Sequence, residues 1–319
     1  MDFWLPLIYS GAKAMGLNEL DYVLFESGHL QYPNEFIDTK SSKLFNNELK
    51  HSLLEEYYKK PRSKRVDYLG AGFLTPFYFP INSILNLSKA NQSFENNLSY
   101  FVLRNRNVLT KLSKWFFNRN KQEKFHLEKE FNQNELELIE QSFLSIRLSV
   151  EGTGRSEKFS LIYLDKKRDD LDLKNALQGL LDDNRKAKLK EKEIDLDKLN
   201  KPSAKNQEEH KSMRKSLDQL IKADYDKKDL LTNEEAFFGF TSKLDATSNG
   251  KPIGFITNGM FSLRAGRFMS NAFIFSKCIL DKIIQSNGQH ETKTKNKTFY
   301  FRSPNSKDFK SASIDEILI

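Results

Sequence analysis

The 319-residue chain has one cysteine, Cys278. No disulfide can close within it, and no zinc site built on several thiolates exists. A lone thiol fits a reducing compartment. The five histidines, at 29, 51, 126, 210 and 290, include no i, i+4 pair, so the helical metal-ligand spacing is missing too. The opening MDFWLPLIYSGAKAMG is apolar, but it lacks a basic leading region and reaches Lys13 too early for a membrane span. It reads as core structure, so the chain is expected to begin inside a domain, and no membrane partner is expected. Residues 165–224 contain no Phe, Trp or Tyr and are loaded with Lys, Asp and Glu, with Pro202 in the middle. Such a stretch has too little apolar surface to offset the entropy of ordering it. It is expected to be a charged inserted linker, partly helical through Leu171, Leu173, Leu177, Leu180 and Leu181. Asp169, Asp170, Asp172, Asp182 and Asp183 fall inside it, which is poor support for the rigid metal site of a protein nuclease.

What is abundant is phenylalanine, at 26 copies, which implies an aromatic-rich core, and positive charge, at a net +8. The charge is uneven. Residues 1–58 carry 4 Lys and Arg against 9 Asp and Glu, a net −5, whereas residues 59–129 carry 14 against 4, a net +10. That block also holds twelve aromatics. Cations interleaved with rings suit RNA, the charge meeting phosphates and the rings meeting unstacked bases. The plain alternative is a solvated basic loop beside ordinary core rings.

The block centres on KKPRSKRVDYLGAGFLTPFYFP, residues 59–80, where five of the first seven residues are cationic and an apolar run follows. Lys59, Lys60, Arg62, Lys64 and Arg65 are candidate phosphate contacts. Gly70 and Gly72 mark a turn and Pro76 lies in the apolar run. A helix over 43–58 precedes it. After an Asn- and Ser-rich loop over 81–99 with a short helix, a strand is expected at 100–103. Then comes a helix whose Val108, Leu109, Leu112, Trp115 and Phe116 make one apolar face. Arg104, Arg106, Lys111 and Lys114 lie off that face and extend the cationic surface.

Elsewhere the spacing predicts a strand at 20–26, a helix opening at Ser10, and a hairpin of 146–150 with 158–164 across Gly152 and Gly154. A second hairpin is expected in PIGFITNGMFSLRAGRFMSNAFIF, residues 252–275, turning at Asn258-Gly259. A helix over 276–287, a strand at 297–303 and the apolar tail SIDEILI complete the chain.

Four blocks carry a resemblance: WLPLIYSGAKAMGL, YYKKPRSKRVDYLGAGFLTPFYFP, YFVLRNRNVLTKLSKWF and PIGFITNGMFSLRAGR. Together, and in this order, they resemble the C-terminal half of the largest protein subunit of eukaryotic ribonuclease P and RNase MRP, the family with a POPLD domain. The last block also resembles the C-terminal barrel of the glycine-cleavage T-protein, here through Gly254, Thr257, Gly259 and Ser262. The resemblance implies an α+β chain: a mixed body over 1–164, the charged linker over 165–232 and a small C-terminal β-barrel over 233–319. It also implies that the N-terminal half of the family is absent, as in a fragment or a split gene product.

The function implied is a non-enzymatic scaffold that holds structured RNA in the nucleus and nucleolus. Its neighbours would be the other protein subunits of the particle, it would need no cofactor, and RNA would perform the cleavage that serves tRNA and rRNA processing. The competing reading is a folate-dependent aminomethyltransferase, for which Asp67, Glu235 and Asp245 are the carboxylates near the motif blocks; none has a partner at a telling spacing.

Overall fold

The computed structural model describes residues 4–88, 100–117, 125–152, 154–164, 170–191, 225–244, 250–286 and 298–318. Its centre is a sheet of β1 (Phe101–Val102), β2 (Ser142–Val150), β3 (Leu161–Tyr163), β4 (Pro252–Ser262), β5 (Arg267–Phe275), β6 (Thr298–Arg302) and β7 (Lys310–Ile317). The order β2-β5-β4-β3-β6-β7 returns to β2, so six antiparallel strands close a barrel and leave no open edge among them. β1 is added outside the ring, parallel to β2. The architecture is α+β with a C-terminal barrel, as expected.

Strand alternation sorts the apolar side chains into two cores. Ile146, Leu148, Ile162, Ile274, Phe301 and Ile314 share a cluster to which all six barrel strands contribute, and this is the barrel interior. Two helices join it: α5 (Arg106–Phe117) through Val108, Leu109 and Leu112, and α11 (Ser276–Ser286) through Ile279, Leu280 and Ile283. The opposite faces of β2 to β5 present Phe143, Tyr163, Phe255 and Phe273 to a second cluster. That cluster is covered by Phe73, Phe77 and Phe79, and by Phe237 and Phe240 of α10 (Glu234–Lys243). Phe255 and Phe273 are wholly buried; each such ring contributes about 2–3 kcal/mol of transfer free energy.

The long helix α3 (Lys40–Lys59) opens at Thr39, whose hydroxyl accepts the Ser42 N–H at 3.2 Å. α4 (Ile81–Ser88) packs against α10. The short α6 (Leu127–Glu130) and α7 (Gln133–Glu140) lead into β2. Part of the charged segment is ordered. α8 (Asp170–Glu191) lays Leu177, Leu180 and Leu181 against the outer cluster, and α9 (Tyr225–Thr232) buries Leu230 and Leu231. Residues 192–224 lie outside the described residues. The barrel takes β2 and β3 from before this segment and β4 to β7 from after it.

Four local expectations are corrected. The helix expected to open at Ser10 is instead α1 (Trp4–Tyr9), which ends there, and the next helix is α2 (Leu17–Glu26). Pro6 sits in the first turns of α1, where a missing N–H costs little, and the Ser10 hydroxyl donates to Leu7 O at 2.7 Å, closing that helix and opening none. Residues 20–26 are helical because Phe25 alone is buried, and one seated face suits a helix. The expected 146–164 hairpin does not form: β2 pairs with β5 and β7, and β3 with β4 and β6. Asn258-Gly259 lies within β4, and the turn falls at 263–266, where Gly266 takes φ +66°. A bulge between Ile256 and Asn258 absorbs the irregularity. The apolar tail becomes β7, the strand that closes the ring.

Candidate nucleic-acid interface

The basic arm leaves the end of α3 through a short 3-10 turn, Arg62–Lys64. Lys59 and Lys60 reach back one helical turn to Glu55 at 3.4 Å and Glu56 at 2.9 Å, all four side chains being well exposed. Arg65 is the staple of the arm. Its Nη2 donates to the Tyr58 carbonyl at 2.6 Å and its Nε to the Lys60 carbonyl at 2.8 Å, with the guanidinium 5.0 Å from the Tyr58 ring centroid. Arg62 and Lys64 are exposed.

Behind the arm, Asp67 accepts the Gly70 N–H at 3.0 Å and so fixes the turn. Gly72 is left-handed at φ +69° and Pro76 is buried. The turn is clamped to the barrel by Arg302 of β6. Its Nη2 donates to the Ala71 carbonyl and its Nε to the Ser306 carbonyl at 3.2 Å.

The second cationic group lies at the other end of α3. Arg104 makes a bidentate pair with Asp38 at 2.5 and 2.7 Å, two residues before α3 begins. Burial pushes the Asp38 carboxyl up, but the Arg104 and Val102 N–H donors outweigh it, and its pKa falls below the ordinary value. Lys111 pairs with Glu135 at 2.8 Å. Arg106 and Lys114 are exposed on α5, Lys114 lying 5.3 Å from the Trp115 ring centroid. The 20 residues of α3 span about 30 Å at 1.5 Å per residue. The arm and the α5 group are therefore separate footholds.

The motif residues of the barrel hold the N-terminal segment. Gly254 is needed because a Cβ there would collide with the Phe273 carbonyl of the neighbouring strand, and at Gly259 it would strike Ser156. The Ser262 hydroxyl donates to Glu26 Oε2 at 2.9 Å. The Thr257 hydroxyl lies 2.8 Å from Glu35 Oε1 and 3.1 Å from the Asn271 carbonyl. One hydroxyl hydrogen cannot serve both acceptors. Burial raises the Glu35 pKa despite donors from Gln31 N–H, Thr257 and Asn271.

Lys158 stands beside this network with its Nζ 2.7 Å from Asn34 Oδ1, its pKa lowered by burial to about 8 although Glu35 pulls it the other way. Glu35, Lys158, Arg147 and Arg302 went unnoticed in the sequence. Arg147 and Arg302 carry a signal that finds them: each is a lone cation inside an apolar strand, SFLSIRLSV and TFYFR.

Of the competing carboxylates, Asp67 is engaged in its turn, Glu235 is exposed at the start of α10 and Asp245 lies outside the described residues. On α8, Asp183 pairs with Lys243 at 2.7 Å. Asp169 lies outside the described residues.

Two family models match the chain: the POPLD (NUC188) domain over residues 1–81 and the POP1 C-terminal domain over residues 142–318, which is more than half of the chain. The human protein described as "Ribonucleases P/MRP protein subunit POP1" is 37% identical over 86 residues, covering 25% of this chain and 8% of the human protein. The first domain match holds the arm and its turn, the second holds every barrel strand, and the chain belongs to the POP1 family.

Proposed function

We propose that this chain is an RNA-holding, non-enzymatic subunit of the ribonuclease P and RNase MRP particles. In this reading it supports tRNA leader removal and rRNA processing in the nucleus and nucleolus, beside other protein subunits, while RNA carries the chemistry. One observation carries the reading: within a chain of this family, cations of the most basic block stand exposed on a rigid support, at the arm and on α5. The pairs of Lys59 and Lys60 are exposed i, i+4 contacts, worth about 0.3–0.5 kcal/mol each. A phosphate displaces such a carboxylate at little cost.

The experiment is a salt titration of binding to a labelled ribonuclease P RNA. Replacing Lys59, Lys60, Arg62 and Lys64 together by Ala is expected to flatten the plot of log affinity against log salt by about 3 units, at roughly 0.7–0.9 for each phosphate no longer neutralised. An unchanged slope with the fold intact would remove the arm from the interface.

A further inference from the structure

Tyr32 is a ring outside both cores, and it stands where cations gather. It is 67% exposed. It lies on the turn before α3, where the Gln31 N–H donates to buried Glu35 at 2.7 Å and the Thr39 N–H to the Phe36 carbonyl at 2.9 Å. The backbone under the ring is therefore fixed. Partly buried Phe36 meets Tyr32 edge to face with centroids 5.7 Å apart, and the Arg104 guanidinium lies 5.9 Å from the Phe36 ring centroid. This is the foothold at the start of α3, seen from the side of the turn.

The charge here is positive. Lys40 and Lys43 are exposed in the first turn of α3. Lys43 lies 4.8 Å from the Tyr100 ring centroid, and Tyr100 donates to the Ile37 carbonyl of the turn at 2.9 Å. Among the described residues, no carboxylate pairs with Lys40, Lys43 or Arg106. The acids of the turn are engaged, Glu35 being buried and Asp38 held by Arg104. Asp21 borders the Tyr32 side, its carbonyl accepting the Gln31 amide at 3.1 Å, and Glu48 is the next exposed acid after Asp38. Residues 100–114 contain no Asp or Glu. An exposed ring among unpaired cations matches unpaired nucleotides: the ring stacks on a base that a duplex would keep in its own stack, and the lysines meet flanking phosphates. We propose that Tyr32, with Lys40 and Lys43 at the same end of α3, forms a stacking site for an unpaired RNA base, so that this foothold takes single-stranded RNA. The proposal rests on the RNA-holding reading and adds to it a strand type and three residues outside the basic block.

The probes are a fluorescein-labelled oligouridylate and an RNA duplex of equal length, each titrated with the full chain and followed by anisotropy. Tyr32→Ala is expected to lower the ratio of single-strand to duplex affinity about tenfold, whereas Tyr32→Phe keeps the ring and should hold the ratio within about twofold of the unchanged chain. Lys40→Ala with Lys43→Ala should lower the single-strand salt slope by about 1.4 units, at roughly 0.7 for each contact, and Tyr32→Ala should leave that slope alone. An unchanged ratio in Tyr32→Ala, or an equal loss in Tyr32→Phe, would overturn the stacking site. So would an unchanged chain that binds the duplex and not the single strand, which would leave this end of α3 to a protein neighbour. The arm variant separates the two claims. If it flattens the slope on ribonuclease P RNA while Tyr32→Ala changes nothing, the RNA-holding reading stands and the stacking site falls. If the chain binds neither RNA, both fall.

Discussion

Arg302 and Lys64 illustrate two fates of positive charge in one molecule. Arg302 is 2% exposed, and its guanidinium clamps the turn at Ala71 and the loop at Ser306. Lys64 stands in solvent at the bend of the arm. Between them lies a gradient: Arg65 and Arg104 are partly covered and tied to carbonyls or a carboxylate, whereas Arg106 and Lys114 face outward. The difference teaches that a basic segment is not uniformly a surface. The cations closest to the barrel position the backbone from which the outer ones project.

The sharpest way to break the contrast is Arg302→Ala. It leaves the Ala71 and Ser306 carbonyls without their donor and opens a void, and a stability loss of about 3–4 kcal/mol is expected in urea unfolding. A loss below about 1 kcal/mol would show that the clamp is incidental.

Lys158→Met addresses a cation buried beside Glu35. The Lys158 pKa is lowered from an ordinary 10.5 to about 8. Between those values the unfolded chain binds the proton and the folded chain does not, so stability rises with pH across that window. Below about pH 8 the lysine is charged in both states and its burial cost is present in full. The Met variant should lose that upward slope, worth about 2–3 kcal/mol between pH 8 and 10.5. Parallel unfolding midpoints for the two proteins over the window would refute the assignment.

Arg104→Ala should cost about 1 kcal/mol, the range for a pair whose arginine is half exposed. Glu135→Ala should cost about as much, since Glu135 both pairs with Lys111 and accepts the Asn132 N–H at 3.0 Å, closing the capping box of α7. The smallest stability effect is expected for Lys64→Ala, Arg106→Ala and Lys114→Ala combined, with no shift in melting temperature but a fall of about 2 units in the RNA salt slope. If that variant melts early, the outer cations also serve the fold.

Helices with one apolar face were legible because the 3.6-residue repeat is local. The helix expected over 43–58 is α3 (Lys40–Lys59), and Val108 to Phe116 marked α5, with all five of its predicted face residues buried. The arm was legible as a charge step at Lys59. The resemblance blocks led to the right family, since their residues serve the fold: Thr257 and Ser262 hold the N-terminal segment, and Gly254 lets two strands meet. Residues 20–26 misled because LDYVLFE satisfies a strand and a helix alike, and Phe25 decides for the helix only once a barrel lies beneath it.

Composition and periodicity by themselves determined that this chain mixes helices and strands, has an aromatic core and concentrates its cations after residue 59. Those properties depend on neighbours within a few positions. Tertiary structure alone decided that β2 pairs with β5 and β7 across more than a hundred residues, and that Arg302 belongs to the turn at Ala71. It alone decided which cations of the basic block remain outward. Ring closure and charge pairing are set by which surfaces meet after the chain collapses, and no local repeat encodes that.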